Sequence, residues 1–547
     1  EHGFNEAGVS MSSTVTAIPN KKVLEKDPLK ADGLAEAAML DVVLPRAKTA
    51  REAIELLGKV IQEKGSAEGN TVVVADQKET WYMEILSGHQ YVAVKVPEDK
   101  YAVFANTYYL GHVDLKDKEN VIASEDVEKV AKEAGNYKTD KDGNFHIAKS
   151  YGPEKYAEGD RSRTYAGITL LDPKSKITYE DEEYELFRSP TDPNKKFTLE
   201  DAFAMQRNRF EHLNGRFVPD DQIGVKKQGD DGANDAVRKD QYKYALGNEN
   251  VIDAHVYQID PKLPKSFGGK VWLGLGPSRN TPYVPFYGNV QDTYKAFKPQ
   301  TASYDPNSWY WTVWHIDQMA IKNQDIFGKS VQDHWKELEK QWIIEQKARD
   351  DKYAALKGNE EAAKAAESEV TNEALARSER LFGYFKNYEA QMQAQLAAAG
   401  RKDDPYRASL PDDYKEPSTP EKEPEKEPEK PAPGQEPEKK PEDPAPSPEP
   451  EKTPESTVAN GAGNPNNRFG YAATKGKITT VQVFEQPKSY GEAPISEPEK
   501  TPQTTVVNTA GNPNNRFGYA ASSEGGKHFK NVESFPNTNY SSNQDNK

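Results

Sequence analysis

From about residue 400 onward the chain loses the means to fold. After Ala397–Gly400 it becomes a run of Glu-Pro-Glu-Lys units, as in EKEPEKEPEK from Glu421 to Lys430. Proline removes a backbone donor and blocks helix interiors, and Glu and Lys bury almost no apolar area. Such a segment cannot offset the entropy of ordering it and is expected to stay extended. The chain therefore divides into a body over 1–400, a Pro/Glu/Lys-rich linker over 401–455 and a distal segment over 456–547. The region beyond the body holds a true repeat. GNPNNRFGYAA at Gly463–Ala473 recurs at Gly511–Ala521, and EPEKTP at Glu449–Pro454 recurs at Glu497–Pro502, both at an offset of 48 residues. Each unit has chiefly one Phe and one Tyr to bury, Phe469 with Tyr471 and Phe517 with Tyr519, too little for a core. The expectation is a pair of short recognition motifs in a disordered tail, so that function lies in the first 400 residues.

A body of about 400 residues suffices for one large or two ordinary domains. The net charge of the 547 residues is −16, with no basic stripe interleaved with aromatics, which argues against nucleic-acid binding. No apolar run approaches the ~18 residues that a membrane span needs. The chain has no cysteine, which excludes disulfides, thiolate metal sites and a Cys nucleophile from within this sequence. It opens at Glu1 without a starting Met or a signal-peptide pattern, and reads as processed or truncated.

The body alternates strands and helices. VSMSSTVT over Val9–Thr16 alternates as a strand does. Pro45–Gly65 predicts a helix, with Thr49 and Glu52 as a capping box and Ile54, Leu57 and Ile61 as one apolar stripe. Short strands follow at Thr71–Ala75, Glu79–Leu86, Tyr91–Val96 and Tyr101–Ala105, separated by turn residues such as Ser87-Gly88 and Pro97-Glu98, a spacing that argues for antiparallel pairing. Later strands are predicted at Asp253–Gln258 and Lys270–Leu275. Two long helices close the body. One follows Ser330, with Val331, Trp335, Leu338 and Trp342 on one face; the other follows Thr371, with Leu375, Phe382, Phe385 and Met392. The fold class is α+β, with one or two packed antiparallel sheets.

Several polar residues stand among apolar, strand-like neighbours: Asn106 after YAVFA, His112 and Asp114 after a glycine turn, His255 inside DAHVYQ, and Arg279 after VWLGLGPS. Strand ends are where loops present polar groups, and an Asn amide or an Arg there can stabilise a developing oxyanion. The same residues serve equally as a turn former and as hydrogen-bonded structure, and spacing does not separate the two. His112 with Asp114 is the nearest thing to a metal pair. The chain has no HExxH, no EF-hand loop, no GxSxG elbow and no phosphate loop.

The order of segments resembles the cysteine dipeptidases of the N-terminal-nucleophile hydrolase class, the dipeptidase A-like family. The likeness runs through FNEAGVSMSSTVT (Phe4–Thr16), LPRAKTAREAIELL (Leu44–Leu57), the stretch from Trp81 to Leu115 that contains FANTYYLGHVDL, and the stretch from His255 to Asn289 that contains GPSRNTPYVPFY. The resemblance implies a four-layer αββα sandwich, incomplete at its N-terminus. It also implies an autoprocessed N-terminal Cys whose own α-amino group serves as base. That Cys is absent here, so the chain is expected to be an inactive fragment of a dipeptidase that hydrolyses dipeptides or short peptides. The resemblance places Asn106 where it helps hold the oxyanion or the nucleophile's amine, and Arg279 near a later polar site position. It puts Val15 where many members carry an acid. No metal or organic cofactor is implied. Rival readings are an amidase of the same fold and a non-catalytic surface adhesin or scaffold. The acidic, cysteine-free, proline-spaced composition fits a protein secreted by, or held on the surface of, a Gram-positive bacterium. Its tail would contact the wall or a host protein, and its body could form a homo-oligomer.

Overall fold

The computed structural model describes residues 1–15, 19–213, 217–219, 242–267, 269–299, 301, 303–403 and the backbone of 506–508. The linker and repeat readings beyond residue 403 lie otherwise outside the described residues.

Six strands make the first sheet: β1 (His2–Phe4), β2 (Ser10–Val15), β3 (Asn70–Ala75), β4 (Thr80–Ile85), β5 (Tyr91–Lys95) and, after the short β6 (Tyr101–Ala102), β7 (Val121–Ala123). The order is β1-β2-β3-β4-β5-β7 and every neighbour is antiparallel. Strand alternation sends Met11, Val72, Val74, Trp81, Met83 and Ile85 to one face. There they pack on the apolar stripes of two helices, α2 (Glu36–Val43) and α3 (Ala50–Lys64), whereas Val23 of the short α1 (Lys21–Lys26) joins a separate cluster with Val73, Tyr82 and Val92. Ile54, Leu57 and Ile61 of α3 are fully buried, as their spacing predicts. The helix begins at Ala50, not at Pro45. Arg46 and Ala47 N–H both close on the Val43 carbonyl, so this stretch finishes α2 instead of opening α3. Thr49 caps α3 by accepting Glu52 N–H at 3.1 Å, while the Glu52 carboxylate takes Lys48 N–H, one residue earlier than in a full capping box.

The YAVFA strand also ends early, at Ala102, where it pairs with β8 (Phe187–Arg188). Beyond it the backbone donors turn to side chains. Ala105 N–H goes to the Tyr109 hydroxyl and Asn106 N–H to Asp160, so neither serves a ladder. The intervening segment carries α4 (Val127–Glu133), α5 (Ile147–Tyr151), α6 (Glu158–Leu171), α7 (Leu199–Arg207) and the short parallel pair β9 (Val218–Pro219) and β10 (Tyr242–Lys243).

The second sheet holds β11 (Asp253–Ile259), β12 (Gly269–Leu275) and β13 (Val284–Tyr287), all antiparallel, with Val256 opposite Trp272. Ala254, Val256 and Trp272 face a large core with α7, α8 (Trp309–Lys322), α10 (Ser330–Ala354) and α12 (Glu367–Ala398); the small α9 (Gln324–Phe327) and α11 (Glu360–Ala365) join these helices. The opposite face of β11 presents His255 and Tyr257 to β1 and β2. Phe4 meets Tyr257 edge-on at 4.4 Å between centroids, and His2 stacks on His255 at 3.7 Å. The two sheets thus meet face to face. The outer edge of β11 is paired over Val256–Gln258 by β14 (Val506–Asn508) from the distal segment. Contacts with the body continue to residue 403, since Arg401 pairs with Asp325 and Asp403 with His315. Among the described residues no helix is long and apolar enough to cross a membrane.

The second core closes on one buried ion pair. Arg207 of α7 forks onto Glu339 of α10 at 2.8 and 2.5 Å, and the same carboxylate accepts Tyr283 N–H at 2.8 Å. Removing one member leaves the other charge buried and unpaired, which costs more than the pair itself contributes. Glu339→Ala is expected to destabilise the body by about 3–5 kcal/mol in denaturant unfolding. The double variant Arg207→Met/Glu339→Leu should recover most of that loss.

Candidate functional site

β1 is shorter than β2, and the candidate site grows from that mismatch. Ser13 N–H bonds the Glu1 carbonyl, on the β1 side. Two residues on, Val15 presents its N–H and C=O to the same side with no strand left to receive them. Two side chains take the strand's place. Glu36 Oε2, from α2, accepts Val15 N–H at 2.9 Å, and Asn106 Nδ2 donates to the Val15 carbonyl at 2.6 Å and to Thr14 Oγ1 at 3.2 Å. A carboxylate thus lies beside position 15, where the resemblance led one to expect an acid, and it comes from Glu36.

The other end of the Asn106 amide is fixed as firmly. Its Oδ1 accepts from Arg163 Nη1 at 2.7 Å, and Arg163 Nη2 in turn donates to Asp160 Oδ1 at 2.8 Å. Asp160 also accepts Asn106 N–H at 3.0 Å. Burial pushes the Asp160 carboxyl up, with the Arg163 guanidinium opposing. The result is a carboxamide held at both ends, beside a cation and two carboxylates. Such a fixed dipole can stabilise charge without reorganising.

Behind this loop stands Glu84, on the inner face of β4. It accepts from the Tyr82 hydroxyl at 2.7 Å and from Tyr109 N–H at 2.5 Å and Leu110 N–H at 3.2 Å, so it pins the backbone just after Asn106. It is fully buried, and burial lifts its carboxyl to about 7 against those hydrogen bonds.

Arg279 sits elsewhere in the sequence's geometry, in the single turn Ser278–Asn280 after β12. Ser278 Oγ donates to the Gln206 carbonyl at 2.7 Å, Asn280 Nδ2 to Asp317 Oδ1 at 2.7 Å, and Trp335 Nε1 to the Asn280 carbonyl at 2.6 Å. Burial lifts the Asp317 carboxyl to about 7, and the nearby Arg279 charge pulls against that rise. The known neighbours of Asn106 come from β2 and α6, and the charged neighbour of Arg279 from α8.

Ligand atoms converge at a place the sequence did not suggest. Asp114 is occupied with its own turn, accepting Lys116 N–H at 3.0 Å. Among the described residues the converging group is His2, Asp253 and His255, with one ligand atom from each lying within 4.8 Å of the others. His255 also lies at 3.3 Å from Ser12 Oγ, which makes a Ser12–His255–Asp253 row. Ser12 is only 2% exposed between the sheets, so no acyl group reaches its oxygen. Asp253 and His255 share a face of β11 by simple alternation, and that much was readable; the approach of His2 required the sheet-to-sheet contact.

The model of peptidase family C69 matches residues 1–337. Probable dipeptidase B of Streptococcus pyogenes serotype M1 is 49% identical over 392 residues, 72% of this chain and 76% of that protein. A probable dipeptidase of Latilactobacillus sakei is 29% identical over 340 residues, 62% of this chain and 68% of its own. A probable dipeptidase of Salmonella dublin is 30% identical over 297 residues, 53% and 64% respectively.

The position of Glu84 makes a pH prediction. A carboxyl held to about 7 when folded, against 4.5 when exposed, favours the folded state fully below pH 4.5 and loses that contribution as the pH rises through 7. Between those limits wild type should lose up to about 3 kcal/mol that Glu84→Gln does not lose. Unfolding midpoints of the two proteins from pH 4.5 to 7.5 measure the difference in slope.

Proposed function

The chain belongs to peptidase family C69, and from that premise we propose that it cleaves dipeptides or short peptides by a cysteine-type mechanism on an N-terminal-nucleophile hydrolase-like αββα sandwich. The observation that carries the reading is the family match across residues 1–337 together with the fixed Asn106 amide at the end of β2. Two sheets in face-to-face contact, each with helices on its outer side, support the sandwich.

In this reading a thiolate attacks the scissile carbonyl, and negative charge gathers on its oxygen. Donors set in place beforehand stabilise that charge best. Asn106 would supply such a donor by exchanging its longer bond, the one to Thr14 Oγ1, for that oxygen, while Val15 and Arg163 keep the amide in place. Glu36 and Asp160 offer carboxylates to the free amine of a dipeptide. Arg279 offers a guanidinium to its free carboxylate, for which the planar fork of arginine is suited. The 547 residues hold no cysteine, so the thiol that this reading requires is not among them. None of the side chains gathered here replaces an attacking thiolate. The tail and the composition suit a protein displayed on or released from a bacterial cell.

The 547-residue chain is expected to leave dipeptides intact. A chain extended upstream by a cysteine-led segment should turn them over and lose activity on thiol alkylation; turnover by the cysteine-free chain would refute the mechanism. In the active protein Asn106→Ala should lower kcat by about 10²–10³, the cost of one oxyanion donor, with KM little changed. Arg279→Ala should raise KM for a dipeptide but not for its C-terminal amide. An equal rise for both substrates removes Arg279 from carboxylate recognition.

A further inference from the structure

We propose that His2, Asp253 and His255 form a binding site for a divalent transition-metal ion that ties the β1–β2 hairpin of the first sheet to β11 of the second. The His2 Nε2 atom lies 2.7 Å from Asp253 Oδ2, and His255 Nδ1 lies 3.1 Å from Asp253 Oδ1. Around a metal at ~2.1 Å from each ligand, neighbouring ligand atoms sit about 3.0–3.5 Å apart, close to both spacings to Asp253, and the two stacked imidazoles would turn their ring planes towards the ion to bind it. Two imidazoles and one carboxylate suit zinc and its neighbours in the first transition row more than calcium or magnesium.

The surroundings carry the argument further than the three ligands alone. A ligating histidine needs its second ring nitrogen held by a partner that fixes the tautomer. Both histidines have one. His2 Nδ1 lies 2.6 Å from the Tyr257 hydroxyl, and His255 Nε2 lies 3.3 Å from the Ser12 hydroxyl. A hydroxyl donates or accepts as required. Without metal, each ring can give its N–H to Asp253 and accept from its hydroxyl. With metal, the proton sits on the outer nitrogen and the hydroxyl accepts it. The stacked rings, 3.7 Å apart and 20° from parallel, come from different sheets. His2 and Asp253 are half-buried, which leaves the ion a way in, while His255 is buried. The site is distinct from the Asn106 cluster, although both draw on β2.

Protons and metal compete for the same nitrogens, so affinity should fall as the pH is lowered. Chelator-treated full-length protein titrated with zinc chloride by calorimetry should take up one equivalent. Cobalt(II) in its place should develop visible ligand-field absorption. Zinc at about 100-fold over its Kd should raise the unfolding midpoint by about 3–5 °C. Asp253→Asn and His255→Gln should abolish binding and the shift, and Tyr257→Phe, which removes only the outer partner of His2, should weaken binding about 10–100-fold. His2→Gln, at a half-buried position, gives the same reading if the buried His255 variant fails to fold. No uptake of zinc overturns the proposal. So does one equivalent that binds undiminished in Asp253→Asn and in whichever histidine variant folds, which would assign the ion to another part of the chain.

Discussion

A strand that outruns its neighbour must still satisfy its backbone, and much of this structure follows from how β2 does so. Val15 has a donor and an acceptor on the side where β1 has already ended, and burial forbids leaving them bare. Glu36 takes the donor and Asn106 the acceptor. Once Asn106 is committed to that carbonyl, its oxygen must be met from behind, and Arg163 meets it. Arg163 then needs an anion, which Asp160 provides. An unfinished ladder thus recruits four side chains from three parts of the chain, and leaves a charged, preorganised patch where a sheet would otherwise simply stop.

The same logic explains which parts were legible in the sequence. Alternating residues gave β2, β3, β4, β5, β11 and β12 because both faces of those strands are used consistently, and the stripe of Ile54, Leu57 and Ile61 gave α3 for the corresponding reason at helical spacing. YAVFA misled because its alternation is real but the backbone at its end is spent on side chains: Ala105 N–H on Tyr109 four residues later, and the next N–H, that of Asn106, on Asp160. Local pattern cannot register a competitor 54 residues away. Pro45–Lys48 misled for the opposite reason, since a turn that finishes one helix looks much like the approach to the next.

Asn106 was visible as a polar residue at a strand end, but not as a residue with both ends of its amide engaged. That property depends on Arg163, 57 positions distant, and on Val15, 91 positions distant. Arg279 was visible in the same way, while the buried acid beside it, Asp317, was hidden inside an aromatic helical stripe. The pair His112–Asp114 was proposed from nearness in sequence alone. His2 and His255 are 253 positions apart along the chain and share a carboxylate in space, which only the sheet-to-sheet contact could arrange.

The stretch matched by the peptidase family ends at residue 337, eight residues into α10, whereas the packing does not end there. Glu339, which neutralises Arg207 and receives Tyr283 N–H, lies just beyond it, and so do Phe385 and Met392 of α12, which complete the core over β11 and β12. A chain cut at the edge of the shared region would bisect a helix, strand a buried guanidinium and uncover an apolar wall. The packing of the second core thus runs on through α12 to Asp403, which holds His315. The long C-terminal helices are a lid on the second sheet that any excised or transplanted version of this enzyme family member has to carry with it.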